Sequence, residues 1–165
     1  MSTSTTRATQ IVADPDVPLV RIVREFDAPP EKVFRAHVDP ELVVPWLGPR
    51  GMTMQVDHYD ARTGGSYRYV QTSGGEQYAF HGSFHEVRSP GVSVPGAIVQ
   101  TFTFEGMPDG VALERLTLED LGDGRTRLTA TSLVDSFADR DAMLVSGMET
   151  GIREGYERLD ELLAG

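Results

Sequence analysis

The chain contains no cysteine and a single lysine, Lys32, among its 15 basic residues. Without cysteine there is no disulfide framework and no thiolate metal site. No basic run interrupts the sequence, and 25 acidic residues against 15 basic ones give a formal charge of −10. Such a chain gains nothing from counterion release at a phosphate backbone and is repelled by anionic surfaces, so nucleic acid is not an expected partner. No apolar stretch approaches the ~20 residues that span a bilayer, and membrane insertion is not expected. The opening MSTSTTRATQ has no apolar signal core, from which a cytoplasmic location is expected. Gly64-Gly65 joins two strand-like runs and cannot cradle a phosphate at a helix start, and no serine sits in a nucleophile elbow. His37, His58, His81 and His85 lack metal-ligand spacing on one helix. His81 and His85 share a strand face but stand too far apart to share an ion easily, so neither metal nor cofactor is expected.

What is present is material for one globular domain, since 165 residues suffice for a single core. Residues 1–16, rich in Ser and Thr and ending near Asp14-Pro15, read as a flexible N-terminal segment, and 17–165 as the domain. Leu19 to Phe26 alternates apolar and charged residues like a half-buried strand. Pro29-Pro30-Glu31 opens a helix, in which Val33, Phe34, His37 and Val38 make one face. Asp39-Pro40 stops it and can cap a second short helix, Glu41 to Trp46. Strands are then expected near 52–60, 65–72, 76–87, 97–105, 111–120 and 124–134, separated by Gly-rich turns. Short links between consecutive strands predict an antiparallel meander. A long helix from about Asp139 to Leu163 follows, with Ser136 and Asp139 as candidate caps and an apolar stripe that includes Leu144, Met148, Ile152 and Leu159. The expected fold is therefore α+β. A curved antiparallel sheet of about seven strands wraps one long C-terminal helix, and two short helices follow the first strand.

Strand alternation predicts which side chains face that helix. The inward sets are Met54, Val56 and His58; Tyr67 and Tyr69; Tyr78, Phe80 and Phe84; Gln100, Phe102 and Phe104; and Glu114 with Leu116. From the helices come Trp46, Met148, Gly151, Ile152 and Gly155. Together these form a candidate ligand-binding surface, apolar with a few polar anchors. A buried Glu114 needs a partner, which His58 or an arginine such as Arg62 or Arg68 would supply. Gly147, Gly151 and Gly155 recur every four residues. They serve either close packing of the helix or room for a ligand beside it.

The run Phe26-Asp27-Ala28-Pro29-Pro30-Glu31-Lys32-Val33-Phe34, then Asp39-Pro40-Glu41-Leu42, then Trp46-Leu47-Gly48-Pro49 resembles the start of the SRPBCC superfamily. It is more closely similar to bacterial homologues of the activator of heat-shock protein 90 ATPase. Asp60-Ala61-Arg62-Thr63-Gly64-Gly65, Phe80-His81-Gly82, Phe104-Glu105-Gly106-Met107-Pro108 and Arg140-Asp141-Ala142-Met143-Leu144 continue the likeness over roughly 20–163. The resemblance implies a helix-grip fold with a cavity closed by the long helix. It implies no universal catalytic set, because relatives include lipid and steroid binders, polyketide cyclases and chaperone regulators.

Three functions follow as expectations. The first is binding of a small hydrophobic or aromatic molecule, for sequestration, transport or sensing. The second is a cyclase, dehydratase or hydrolase using Glu114 or His58 as acid or base, with Trp46, Tyr67 and Tyr78 shaping the pocket. The third is regulation of a chaperone, heat-shock protein 90, through the surface. The protein is expected as a monomer or a homodimer.

Overall fold

The structure, a computed structural model, describes residues 8–165. Twelve elements follow one another: β1 (Gln10–Ala13), β2 (Leu19–Phe26), α1 (Pro30–Val38), α2 (Pro40–Val43), β3 (Thr53–Tyr59), β4 (Ser66–Ser73), β5 (Glu76–Arg88), β6 (Gly96–Phe104), β7 (Ala112–Gly122), β8 (Arg125–Leu133), α3 (Phe137–Val145) and α4 (Met148–Ala164). All eight strands join one antiparallel sheet in the order β1-β2-β8-β7-β6-β5-β4-β3. The strand run β3 to β8 is the expected meander, and β2 closes it by pairing with β8.

The extra strand lies where the sequence reads as a flexible lead-in. Gln10–Ala13 pairs antiparallel with β2, from Gln10↔Val23 to Ala13↔Val20. Buried Thr9 accepts from Arg24 Nε at 3.3 Å and, through its carbonyl, from Arg153 at 2.5 Å. These contacts offset the ordering entropy that a polar segment would not otherwise recover. Asp14 makes the turn, its carboxylate accepting from the backbone N–H groups of Asp16 and Val17. Residues 1–7 of the expected flexible segment lie outside the described residues.

The caps fall as the sequence predicts. Pro29 precedes α1 with Pro30 in its first turn. The Asp39 side chain accepts from Glu41 N at 2.9 Å, and the Ser136 hydroxyl from Asp139 N at 3.1 Å. The expected single C-terminal helix is instead two. Gly147 adopts φ +93°, which ends α3 and starts α4. That left-handed conformation is open to glycine and strained for a residue with a Cβ. α1 lies against β6, β7 and β8, while α4 lies against α1 and α3. No described helix is long and apolar enough to cross a membrane.

At one end of the concave face the core is closed. Phe26, Val33, Leu118, Leu128 and Leu159 are completely buried in a single cluster. Tyr156 of α4 seals it, edge-on to Phe26 (5.4 Å between ring centres) and stacked on Trp46 (6.0 Å).

Candidate functional site

Period-two alternation puts Ala112, Glu114, Leu116 and Leu118 of β7 on the concave face, beside Thr126, Leu128, Ala130 and Ser132 of β8. Register then places Gln100 of β6 opposite Glu114, and Ser132 opposite it on the other side. Gln100 Nε2 donates to Glu114 Oε1 at 3.0 Å, and Ser132 Oγ donates to Glu114 Oε2 at 3.3 Å. Gln100 Nε2 also lies 3.4 Å from the Tyr67 hydroxyl, whose own proton goes to the Thr101 carbonyl at 2.7 Å. The result is a polar line, Tyr67–Gln100–Glu114–Ser132, drawn from four strands and running from β4 to β8 over an otherwise apolar surface.

Among the described residues Glu114 lacks the cation expected for it. Arg62 is bound to Asp60, and Arg68 to Glu105, both away from the concave face. With two neutral donors only, burial pushes the Glu114 carboxyl up to about 7, and the bonds from Gln100 and Ser132 partly oppose this. Burial raises the hydroxyl pKa values of Tyr59, Tyr67, Tyr69 and Tyr156, and the Glu114 charge raises them further. These four phenols therefore stay neutral.

His58 does not join them. A register shift between Val56 and His58 makes Asp57 the extra residue of a bulge. His58 turns outward with its side chain half exposed, Nε2 3.0 Å from Ser66 Oγ and Nδ1 3.5 Å from Asp57. Tyr59 takes the inward place, packing on Tyr67 and Phe84 with ring centres 5.8 and 5.7 Å away. Simple alternation fails here because one inserted residue inverts every side chain beyond it.

The remaining predicted residues divide by exposure. Trp46 is buried, its Nε1 donating to the Ala36 carbonyl at 3.0 Å, and Tyr67, Tyr69 and Phe84 are buried as well. Tyr69, Phe80 and Phe102 continue as a stack. Phe104 and Tyr78 extend it toward the β4–β5 turn, where the Tyr78 hydroxyl donates to Glu76. Met54, Val56, Phe80, Phe102, Leu116 and Ile152 are only partly buried although packed against the core. Met148 is likewise part-exposed at the start of α4.

The glycines serve packing on a loop. A Cβ at Gly155 would meet the Trp46 carbonyl at 3.1 Å, and one at Gly151 would only touch Pro49 at 3.5 Å. Gly82 has a different reason. A Cβ there would sit 2.6 Å from the Tyr67 hydroxyl and 2.0 Å from the Thr101 carbonyl. The missing side chain gives Tyr67 its place.

Three contributors escape the sequence reading. Ser132 lies two residues beyond Ala130 on an alternation already legible. Tyr156 lies four residues after Ile152 and three before Leu159, within the helical stripe. Tyr59 has no local signal, because the bulge hides it.

A family model described as "Activator of Hsp90 ATPase homolog 1-like protein" matches residues 27–164. The chain belongs to this family. Solved structures agree with the fold. A protein from Arthrobacter aurescens, known by solution NMR, superposes with a TM-score of 0.81 at 28% identity, covering 94% of this chain and 91% of that one. A Rhodobacter sphaeroides protein gives a TM-score of 0.78 at 27% identity, over 94% and 97% of the two chains. A Mycobacterium smegmatis protein gives 0.76 at 24% identity, again over 94% and 97%, a likeness of fold alone. No protein of curated function matches the sequence. Membership accounts for the helix-grip arrangement of sheet and C-terminal helices. Strands β1 and β2 lie before the matched region.

Proposed function

We propose that the protein binds a small, largely apolar or aromatic molecule on the concave face, between the strands and the two C-terminal helices. One observation carries this reading. Met54, Phe80, Phe102, Leu116, Ala130 and Ile152 point inward yet keep part of their surface exposed. A filled core would cover them, since interiors close to crystal-like density. Uncovered apolar walls around a few polar groups are the usual make-up of a small-molecule site. Displacement of the neutral dye N-phenyl-1-naphthylamine by apolar metabolites, together with native mass spectrometry of the purified protein, tests it. Saturable displacement is the expected result. A protein that neither takes up the dye nor retains any ligand overturns the reading.

A second reading, acid–base catalysis by Glu114, is favoured by the position of its carboxyl near neutrality. His58 has no part in it, since it faces away. Chemical change of a captured ligand, lost in Glu114→Gln, is its test. Regulation of heat-shock protein 90 rests on family membership alone, and an ATPase assay with the chaperone tests it.

A further inference from the structure

The polar line on the concave face has a direction. Tyr67 spends its proton on the Thr101 carbonyl, so its oxygen is left as an acceptor for Gln100. Gln100 then has its amide N–H groups turned to Tyr67 and Glu114. The reverse amide orientation would face a carbonyl oxygen toward both the acceptor and the carboxylate, so the network fixes this one. Ser132 donates as well. Both hydrogen-bonding partners of Glu114, Gln100 and Ser132, therefore donate to it, and these two bonds favour the ionised carboxylate against the burial that opposes it. Among the described residues no positive charge completes them. Arg24 of β2 is held bidentately by Asp160, at 2.6 and 3.2 Å. Arg140 of α3 binds Asp141 and the Asp14 and Leu19 carbonyls. On α4, Arg153 binds the Thr9 carbonyl, and Arg158 lies 3.4 Å from the Leu47 and Gly48 carbonyls. His37 of α1 is held neutral by burial.

Carboxylates have about four acceptor sites, of which two are used here. The groups that feel the Glu114 charge are the phenols Tyr59, Tyr67, Tyr69 and Tyr156, whose π faces favour cations. The whole chain, at −10, adds a potential that concentrates cations. We infer that the ligand of the concave face is an organic cation, an apolar or aromatic body carrying a protonated amine whose ammonium group meets Glu114 among the tyrosine rings. This inference rests on the binding function proposed above and names the class of its ligand.

The test compares three molecules of one shape class by calorimetry: 2-phenylethylamine, neutral 2-phenylethanol and anionic 3-phenylpropionate. At pH 8 the amine should bind ~10-fold or more tightly than the alcohol, and the carboxylate more weakly still. Glu114→Gln should bring amine and alcohol within about 2-fold of each other. A carboxyl titrating at about 7 is ionised in roughly one molecule in ten at pH 6, while the amine stays protonated. Amine affinity should therefore drop ~10-fold from pH 8 to pH 6, with proton release that appears as a buffer-dependent heat. If alcohol and amine bind the wild type equally, or the amine preference survives in Glu114→Gln, the cation is wrong and the binding surface stands. If none of the three binds and N-phenyl-1-naphthylamine is not taken up either, both fall. Should Glu114→Gln fail to fold by circular dichroism, the wild-type pH series and the amine–alcohol pair decide the matter.

Discussion

The Tyr59 hydroxyl donates to the backbone carbonyl of His37 at 2.9 Å, tying β3 to the last turn of α1. That carbonyl is one of the four a helix leaves without an internal partner. The bond exists because the bulge at Asp57 turns Tyr59 inward and His58 outward. Tyr59→Phe is expected to lower stability by ~1 kcal/mol in urea unfolding, the usual worth of a lost hydrogen bond. His58→Ala should change stability by less than ~0.5 kcal/mol, as exposed substitutions do, and leave ligand affinity alone. A larger effect at His58 than at Tyr59 would place the bulge elsewhere.

His37 itself should be inert to pH over most of the useful range. Its Nδ1 lies 2.8 Å from the Val33 carbonyl, so Nδ1 carries the proton. Its Nε2 is covered and finds no hydrogen-bond partner among the described residues. Burial lowers its pKa to about 4, against the smaller opposite effect of the Val33 bond. A lowered histidine pKa means that the unfolded chain takes up the proton first. The stability from neutral His37 is full above pH 6.5 and is lost as pH falls toward 4, by about 3 kcal/mol. Imidazole 15N spectra should show the Nδ1-protonated neutral form persisting at pH 5.

Glu114 works in the opposite sense. Its folded pKa of about 7 lies above the ordinary 4.5, so the folded chain holds the proton longer. Its stability penalty is absent below pH 4.5, grows as pH rises to 7 and is full above that. Glu114→Gln should therefore stabilise the protein at pH 8 by about 1–2 kcal/mol, a value discounted because the side chain keeps some access to water. At pH 4 the gain should vanish. Equal gains at both pH values would show that the carboxyl titrates normally.

Four glycines should respond differently to alanine. Gly82→Ala drives a methyl into the Thr101 carbonyl and Tyr67 and should cost more than about 2 kcal/mol. Gly155→Ala meets the Trp46 carbonyl at 3.1 Å and should cost ~1 kcal/mol. Gly147→Ala is strained by φ +93° and should cost ~1 kcal/mol. Gly151→Ala has room and helical geometry, and should stabilise by ~0.5–1 kcal/mol. Thermal melts of the four variants check the order.

Asp160→Ala should be among the more damaging surface changes. It strands the Arg24 guanidinium, which is 3% exposed, beneath α4. Loss of one partner of a buried pair costs ~3 kcal/mol, most of it from the uncompensated charge. Arg24→Met with Asp160→Leu removes both charges and should recover most of that loss in denaturant unfolding.

Much of the architecture was legible because it follows from local rules. Proline and aspartate set the ends of α1 and α2, Gly-rich turns set the hairpins, and period two set the inward rows of β4 to β8. Glu114, Gln100, Tyr67 and Tyr69 were found this way, since an unbroken strand has only two faces. Arg24 and the β1 strand were not, because each owes its place to partners far along the chain, whereas Tyr156 lay within the helical stripe and was passed over. By itself the sequence determined the α+β meander, its family and three of the four residues of the polar line, Tyr67, Gln100 and Glu114. Tertiary structure alone decided that His58 leaves the site and Tyr59 enters it, that the C-terminal helix breaks at Gly147, and that Glu114 has no counter-charge among the described residues. Those outcomes depend on an inserted strand residue, a single backbone angle and which cations are already bound to other acids. Such facts arise only when distant segments meet.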